Sequence, residues 1–268
     1  MVIIGELINC SRKSVLNAVE DRNASFVTDL AVAQAEAGAD YIGVNAGIPE
    51  REPETMAWLV EVVQRSVNLP LCLDSDSMQA QFRGMEVYDW KRGRPILNSI
   101  SLSPPRLGPG LKVIEKWKPR TIGLCAAKGI VKGGVRSKIE IAQSLVKYLR
   151  DTGLTDEDIF LDPCVLPVAI DQSNGTDVTD CVAALHSEFP DAHTVCGVSN
   201  ISFGLPERKW LNRAYIVMLM ARGLDAVVCD PTDQILMSLI RSAETLRGND
   251  QDCEAFLKFF RSGAFPKL

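Results

Sequence analysis

Short apolar runs alternate with helical-period segments from one end of the chain to the other. The strand-like runs are VIIGE (2–6), DYIGVN (40–45), LPLCLD (69–74), PILNSI (95–100), RTIGLC (120–125), DIFLDP (158–163), HTVCGV (193–198) and LDAVVCD (224–230). Between and after them lie helix candidates at 25–37, 54–67, 77–88, 110–117, 136–150, 176–188, 209–222 and 232–247. In RSKIEIAQSLVKYLR (136–150), Ile139, Ala142, Leu145, Val146 and Leu149 fall on one face, with charges opposite. Gly38, Pro119 and Pro190 stop helices just before strands. Eight strands alternating with eight helices predict an α/β fold, a TIM (β/α)8 barrel formed as one domain over residues 1–268. A doubly wound open sheet is the alternative, disfavoured because no Gly-rich fingerprint follows the first strand. A last segment, DQDCEAFLKFFRSG (250–263), gathers Phe256, Phe259 and Phe260 on one helical face, expected to cover the barrel floor or to meet a partner subunit.

Composition narrows the function. Of the 268 residues, 46% are hydrophobic, enough for one sizeable core. A net charge of −5 without a basic stripe argues against nucleic acid. The opening MVIIGELINCSRK has too short an apolar run, with Glu6 inside it, for a signal peptide or membrane span, so a cytoplasmic protein with no membrane partner is expected. Eight cysteines without a C-x-x-C pair read as reduced structural thiols. Only His186 and His193 are available and neither sits at ligand spacing from two cysteines, so no metal site is expected.

In a barrel of this kind the chemistry sits at the carboxyl ends of the strands. The residues ending the runs are Glu6, Asn45, Asp74, Asn98, Cys125, Asp162, Ser199 with Asn200, and Asp230. The stretch LCLDSD (71–76) poses the question directly, because a carboxylate there costs solvation unless it caps the next helix or holds a ligand. For each of these residues, capping and ligand binding are both open. Asp230, followed by Thr232 and Asp233, leans toward a structural role, and Cys125 toward packing. As a set they are a poor phosphate site and suit a neutral heterocycle whose edge alternates donors and acceptors, since a carboxylate accepts paired N–H groups and an amide both donates and accepts.

GELIN (5–9), LCLDS (71–75), ILNSIS (96–101), LDPCVLP (161–167), GVSNIS (197–202) and LNRAYIVMLMARGLDA (211–226) together resemble the methyltetrahydrofolate:corrinoid (iron-sulfur) protein methyltransferases of the pterin-binding barrel family, which includes dihydropteroate synthase. The resemblance implies a methyltransferase of one-carbon metabolism. It would move a methyl group between 5-methyltetrahydrofolate (tetrahydrofolate as its demethylated form) and the cobalt of a corrinoid, a cobalamin carried by a partner protein.

By the same resemblance Asp74, Asn98 and Asp162 hold the pterin edge, with Asp162 taking the paired donors. Asn200 addresses the methyl-bearing nitrogen, Gly197 and Ser199 line the ring, Arg208 contacts folate, and Glu6 and Asn9 stand behind them. A homodimer using the hydrophobic late helices is also implied.

Phe203 stands where a polar, glutamine-like contact is expected, and NCSRKSV (9–15) replaces the segment that follows the first strand in dihydropteroate synthases. Their late basic signature is missing too, which leaves condensation as the runner-up reaction. A non-catalytic folate-binding subunit is the alternative of a different class, and a zinc-dependent thiol methyltransferase lacks its ligand trio. The stretch AAKGIVKGGVRSK (126–138), with Lys128, Lys132, Arg136 and Lys138, is expected to form a mobile basic rim or simply a solvated loop.

Overall fold

The structure is a computed structural model and describes residues 1–47, 51–126 and 134–266. Eight parallel strands close into a barrel in sequence order. They are β1 (Val2–Asn9), β2 (Tyr41–Asn45), β3 (Leu71–Asp74), β4 (Ile96–Ile100), β5 (Arg120–Leu124), β6 (Ile159–Asp162), β7 (His193–Gly197) and β8 (Ala226–Cys229). Around them run α1 (Lys13–Glu20), α2 (Ala24–Glu36), α3 (Glu52–Ser66), α4 (Met78–Val87), α5 (Pro104–Trp117), α6 (Val135–Asp151), α7 (Ser173–Glu188), α8 (Arg208–Met220), α9 (Gln234–Leu246) and α10 (Glu254–Arg261). None of the helices among the described residues is long and apolar enough to cross a membrane.

One side chain from each strand, Ile4, Tyr41, Cys72, Ile96, Ile122, Phe160, Val195 and Ala226, fills the barrel interior as a single buried cluster. The barrel is therefore plugged, and a ligand can enter only where the strands end above this layer. Outside the strands, α1 to α6 pack on one apolar cluster, while α8 and α9 pack on a second one with Ile3 and Val227.

All eight predicted strands are present, and four details differ from the sequence reading. First, β1 does not stop at Glu6: its pairing with β2 shifts between Gly5 and Ile8, and the strand continues to Asn9. The bulge leaves the Leu7 amide unpaired in the ladder, and the buried Gln34 side chain on α2 accepts it at 2.9 Å. Gly5 is required there, since an added Cβ would lie 2.3 Å from Gln34 Oε1.

Second, the β1–β2 connection carries an additional short helix, α1, anchored by Val15, Ala18 and Val19. Third, α5 begins at Pro104 rather than near residue 110, with Pro109 inside it. The run PPRLGPG reads as loop by composition, yet Pro at the first helical positions costs nothing because those amides have no partner anyway. Fourth, α10 packs against α9, with Phe259 against the second cluster and Phe260 64% exposed.

Candidate active site

At the carboxyl ends of the strands a small open cavity is lined by Glu6, Asn45, Asp74 and Asn98, with Gly5, Gly43, Cys72 and Val228 among the residues below them. Four residues that end predicted strands on β1 to β4 are thus brought together. Asn45 donates its amide to Asp74 Oδ2 at 3.0 Å and accepts the Gly47 amide at 3.2 Å. Neither Asp74 nor Asp76 caps the next helix, because Ser77 does so by accepting the Ala80 amide at 3.2 Å. Asp76 is turned outward and pairs with Arg106 at 3.0 Å. Among the described residues Asp74 keeps only the Asn45 bond, and Ser77 is the cap, so the capping reading of LCLDSD fails for both carboxylates.

Burial pushes the Asp74 carboxyl up to about 6, against the pull of the Asn45 amide, while Asp76 pushes it the same way and Arg106 opposes it. Burial likewise carries Asp162 up to about 6, opposed by the Cys164 amide and Lys138 and assisted by Asp74. The Cys164 amide meets Asp162 Oδ1 at 2.7 Å. Two carboxylates held in this state at one mouth are poised for a ligand that supplies N–H donors.

The ends of β3 and β4 are tied together from behind. Gln81 of α4, fully buried, has its Nε2 within hydrogen-bond reach of the carbonyls of Leu73, Ser75 and Asn98. Arg106 of α5 donates to Ser75 O at 3.2 Å and Ser99 Oγ at 3.4 Å. These bonds set the spacing at which Asp74 and Asn98 emerge.

The opposite arc of the rim belongs to β6 and β7, whose ladder is the shortest of the barrel, with only Phe160↔His193 and Leu161↔Thr194 in register. Asp162 and Gly197 emerge beyond its end. After β7 the chain makes a 3₁₀ turn, Val198–Asn200. Ser199 Oγ donates to Glu6 Oε1 at 2.8 Å, which joins this arc to the cavity, and Arg12 donates to the same oxygen at 3.0 Å. Burial raises the Glu6 carboxyl, with Ser199 and Arg12 working against it.

Asn212 of α8 accepts Ser202 Oγ at 2.7 Å and reaches Ser199 Oγ at 3.5 Å. Arg208 donates to Ser199 O at 2.6 Å and Ser202 Oγ at 3.1 Å, and its guanidinium lies 5.7 Å from the Phe203 ring. Asn200 itself is exposed and its amide makes no hydrogen bond among the described residues; it lies over Gly197, where an added Cβ would be 3.3 Å from Asn200 Nδ2.

Of the remaining predicted residues, Asn9 accepts the Ser11 amide at 2.8 Å and Asp230 the Thr232 amide at 2.9 Å, each closing a local turn, while Asp233 caps α9. Cys125 is buried. Lys128 and Lys132 lie outside the described residues. Lys138 is corrected: it is not a rim residue but 5% exposed, donating to Pro163 O at 2.6 Å. Arg136 is exposed and pairs with Glu140.

Arg106, Gln81, Asn212 and Arg12 escaped the sequence reading. For Arg106 a signal existed, since Pro104 and Pro105 mark a helix start right after a strand. The others depend on contacts distant in sequence. Among the described residues no group of three or more His, Cys, Asp or Glu side chains could hold a metal ion.

The model of the family described as pterin binding enzyme matches residues 5–230. A methylcorrinoid:tetrahydrofolate methyltransferase of Eubacterium limosum is 33% identical over 266 residues, covering 98% of this chain and 97% of that one. A methionine synthase of Mycobacterium tuberculosis is 24% identical over 260 residues, covering 90% of this chain and 21% of its own length. Among solved structures, a dihydropteroate synthase of Coxiella burnetii in complex with pteroic acid aligns with a TM-score of 0.64 at 12% identity, covering 91% of this chain and 94% of that one, a likeness of fold alone. With the family match spanning most of the barrel and a methyltransferase relative matched nearly end to end, the chain belongs to the pterin-binding enzymes, as a methyltransferase within them.

Proposed function

We propose that this protein moves a methyl group between 5-methyltetrahydrofolate and the cobalt of a corrinoid carried by a separate protein. The observation that carries the reading is that the Asn200 amide has no hydrogen-bond partner among the described residues, while the turn bearing it is tied through Ser199 to Glu6, which lines the cavity with Asp74 and Asn98. In this reading the pterin edge donates paired N–H groups to Asp162, whose carboxylate keeps free lone pairs beyond the one taken by Cys164. Asp74, oriented by Asn45, and Asn98 take the neighbouring ring nitrogens. The cavity opens to solvent at the carboxyl ends of the strands, so in this reading a folate would place its ring at the rim and leave its tail outside.

Asn200 then addresses the methyl-bearing nitrogen. A ring nitrogen that loses its methyl must take on charge or a proton, and one hydrogen bond that strengthens as this happens contributes about 1.5–3 kcal/mol, or roughly one to two decades in rate. The corrinoid is the co-substrate: reduced, it would accept the methyl group from the folate nitrogen, and methylated, it would give the group up to that nitrogen in the reverse direction. The protein contributes binding, orientation and the Asn200 amide. The turn that carries Asn200 is held by the bonds from Ser199 to Glu6 and from Arg208 to Ser199 O.

The test mixes the protein with 5-methyltetrahydrofolate and reduced cobalamin and follows methylcobalamin in the visible spectrum. Asn200→Ala is expected to lower the rate about 10- to 100-fold while tetrahydrofolate affinity stays within a few fold. An equal loss of rate and affinity would instead make the site one for binding alone.

A further inference from the structure

We propose that Lys138 is a positioning residue for pterin recognition, acting through Asp162: its buried ammonium orients the Asp162–Cys164 segment and keeps a positive charge behind the carboxylate that receives the ligand. The inference rests on the function proposed above.

Lys138 sits in the first turn of α6, 5% exposed. Its Nζ donates to Pro163 O at 2.6 Å, and among the described residues it makes no other hydrogen bond and no ion pair. An ammonium has three donors, and burying one with a single neutral acceptor is far more costly than burying an apolar side chain of the same length. Packing alone therefore gives no reason for a lysine here. The carbonyl it holds belongs to the residue after Asp162. The next residue, Cys164, has φ +62 and donates its amide to Asp162 Oδ1 at 2.7 Å. Fixing Pro163 O thus fixes the turn that aims the Asp162 carboxylate.

The charged and titratable groups acting on Asp162, or acted on by it, come from every neighbouring element. They are Lys138 from α6, Asp74 from β3, Cys164 in the same turn, Cys125 after β5, Cys181 on α7 and Cys196 on β7. Burial raises all four thiols, which keeps them neutral, so Lys138 is the cation in this group and Asp74 the competing anion. Without Lys138, Asp162 would ionise only at higher pH, in a mouth where burial already carries it to about 6.

The experiment measures anaerobic tetrahydrofolate binding by calorimetry from pH 6 to pH 9 for the full chain, Lys138→Met and Lys138→Arg, with circular dichroism as a check of folding. If the ionisation of Asp162 moves up by about one pH unit, the deficit of Lys138→Met relative to wild type is about 5-fold larger near pH 6 than at pH 9, where only the loss from the freed Pro163 carbonyl remains, and Lys138→Arg restores the acid side. A loss equal at every pH marks a structural staple and overturns the proposal, as does an unchanged profile. Should Lys138→Met fail to fold, Lys138→Gln carries the same comparison. A wild-type protein that binds no tetrahydrofolate at any pH overturns the proposed function, and this inference with it, whereas normal wild-type binding with an unaltered variant overturns the inference alone.

Discussion

The two ends of the barrel solve the same problem in opposite ways. At the amino-terminal end, charged side chains close on partners. Arg120 donates to Tyr41 Oη at 2.9 Å, His193 meets Asp225 at 2.7 Å and stacks on Phe160, and Arg94 joins Asp158 at 2.6 Å. Asp225 also accepts the Thr194 amide, and Asp40 accepts that of Ile3. At the carboxyl end, Asp74 and Asp162 are both pushed up to about 6, and the Asn200 amide has no partner among the described residues. One end closes its polar groups on partners that hold the fold, and the other leaves Asp74, Asp162 and Asn200 short of them, which the proposed ligand site requires.

The sharpest way to break this contrast is Asp162→Asn. Losing a charged acceptor of paired N–H groups removes about 1.5–3 kcal/mol, so tetrahydrofolate affinity is expected to fall roughly 10- to 100-fold by calorimetry. The ligand-free protein should at the same time gain about 1–2 kcal/mol toward denaturant at pH 8, because ionising this buried group no longer costs anything. Unchanged affinity, or a loss of stability, would place Asp162 with the structural carboxylates.

Arg120→Met probes the other end. It strands the Tyr41 hydroxyl, on a side chain 7% exposed, and is expected to cost about 1–3 kcal/mol of stability with methyl transfer unaltered. A variant that folds as well as wild type but transfers poorly would abolish the division of labour.

The most gradual effect is on pH dependence. Asp74 ionises near 6 in the native chain but near its ordinary 3.8 when unfolded, so between these values the native state holds the extra proton. Its contribution to stability is fully present below about pH 4, declines as pH rises to about 6, and is flat above. Carboxylates held low by partners, such as Asp156 beside Arg150 and Asp233 beside Arg213, act in the opposite sense at the acid end. The comparison is therefore between wild type and Asp74→Asn. The advantage of the variant should grow by about 1 kcal/mol per pH unit from pH 4 to pH 6 and then level off. A difference constant with pH would mean that Asp74 is not burdened by burial.

The strand runs and their terminal residues were legible because both are local. A period-two or continuous apolar run announces a strand wherever the barrel closes, and a carboxylate at its end stands out against it. Four of those residues share one cavity and Ser199 is tied to it. What was not legible is which of them are already occupied. Asn9 is bonded to the Ser11 hydroxyl two positions on, and only the folded turn sets it apart from Asp74, whereas Asp230, bonded likewise to Thr232, already leaned toward a structural role in the sequence. Lys138 sits in a glycine-rich basic stretch typical of a solvated loop, and its burial follows from α6 docking its first turn against the segment after β6.

By itself, then, the amino-acid sequence determined eight βα units, a closed barrel, a ring of acids and amides at one rim, and a family. Periodicity carries the elements and the rim, because each strand or helix declares itself over a few residues, while the family rests on the resemblance of the motifs at the strand ends. The tertiary structure alone decided that β1 bulges to bring Glu6 beside Ser199, that Gln81 and Arg106 pin the ends of β3 and β4, and that a lone lysine lies buried behind Asp162. Those arrangements join residues up to 193 positions apart, and only closure of the barrel makes them neighbours.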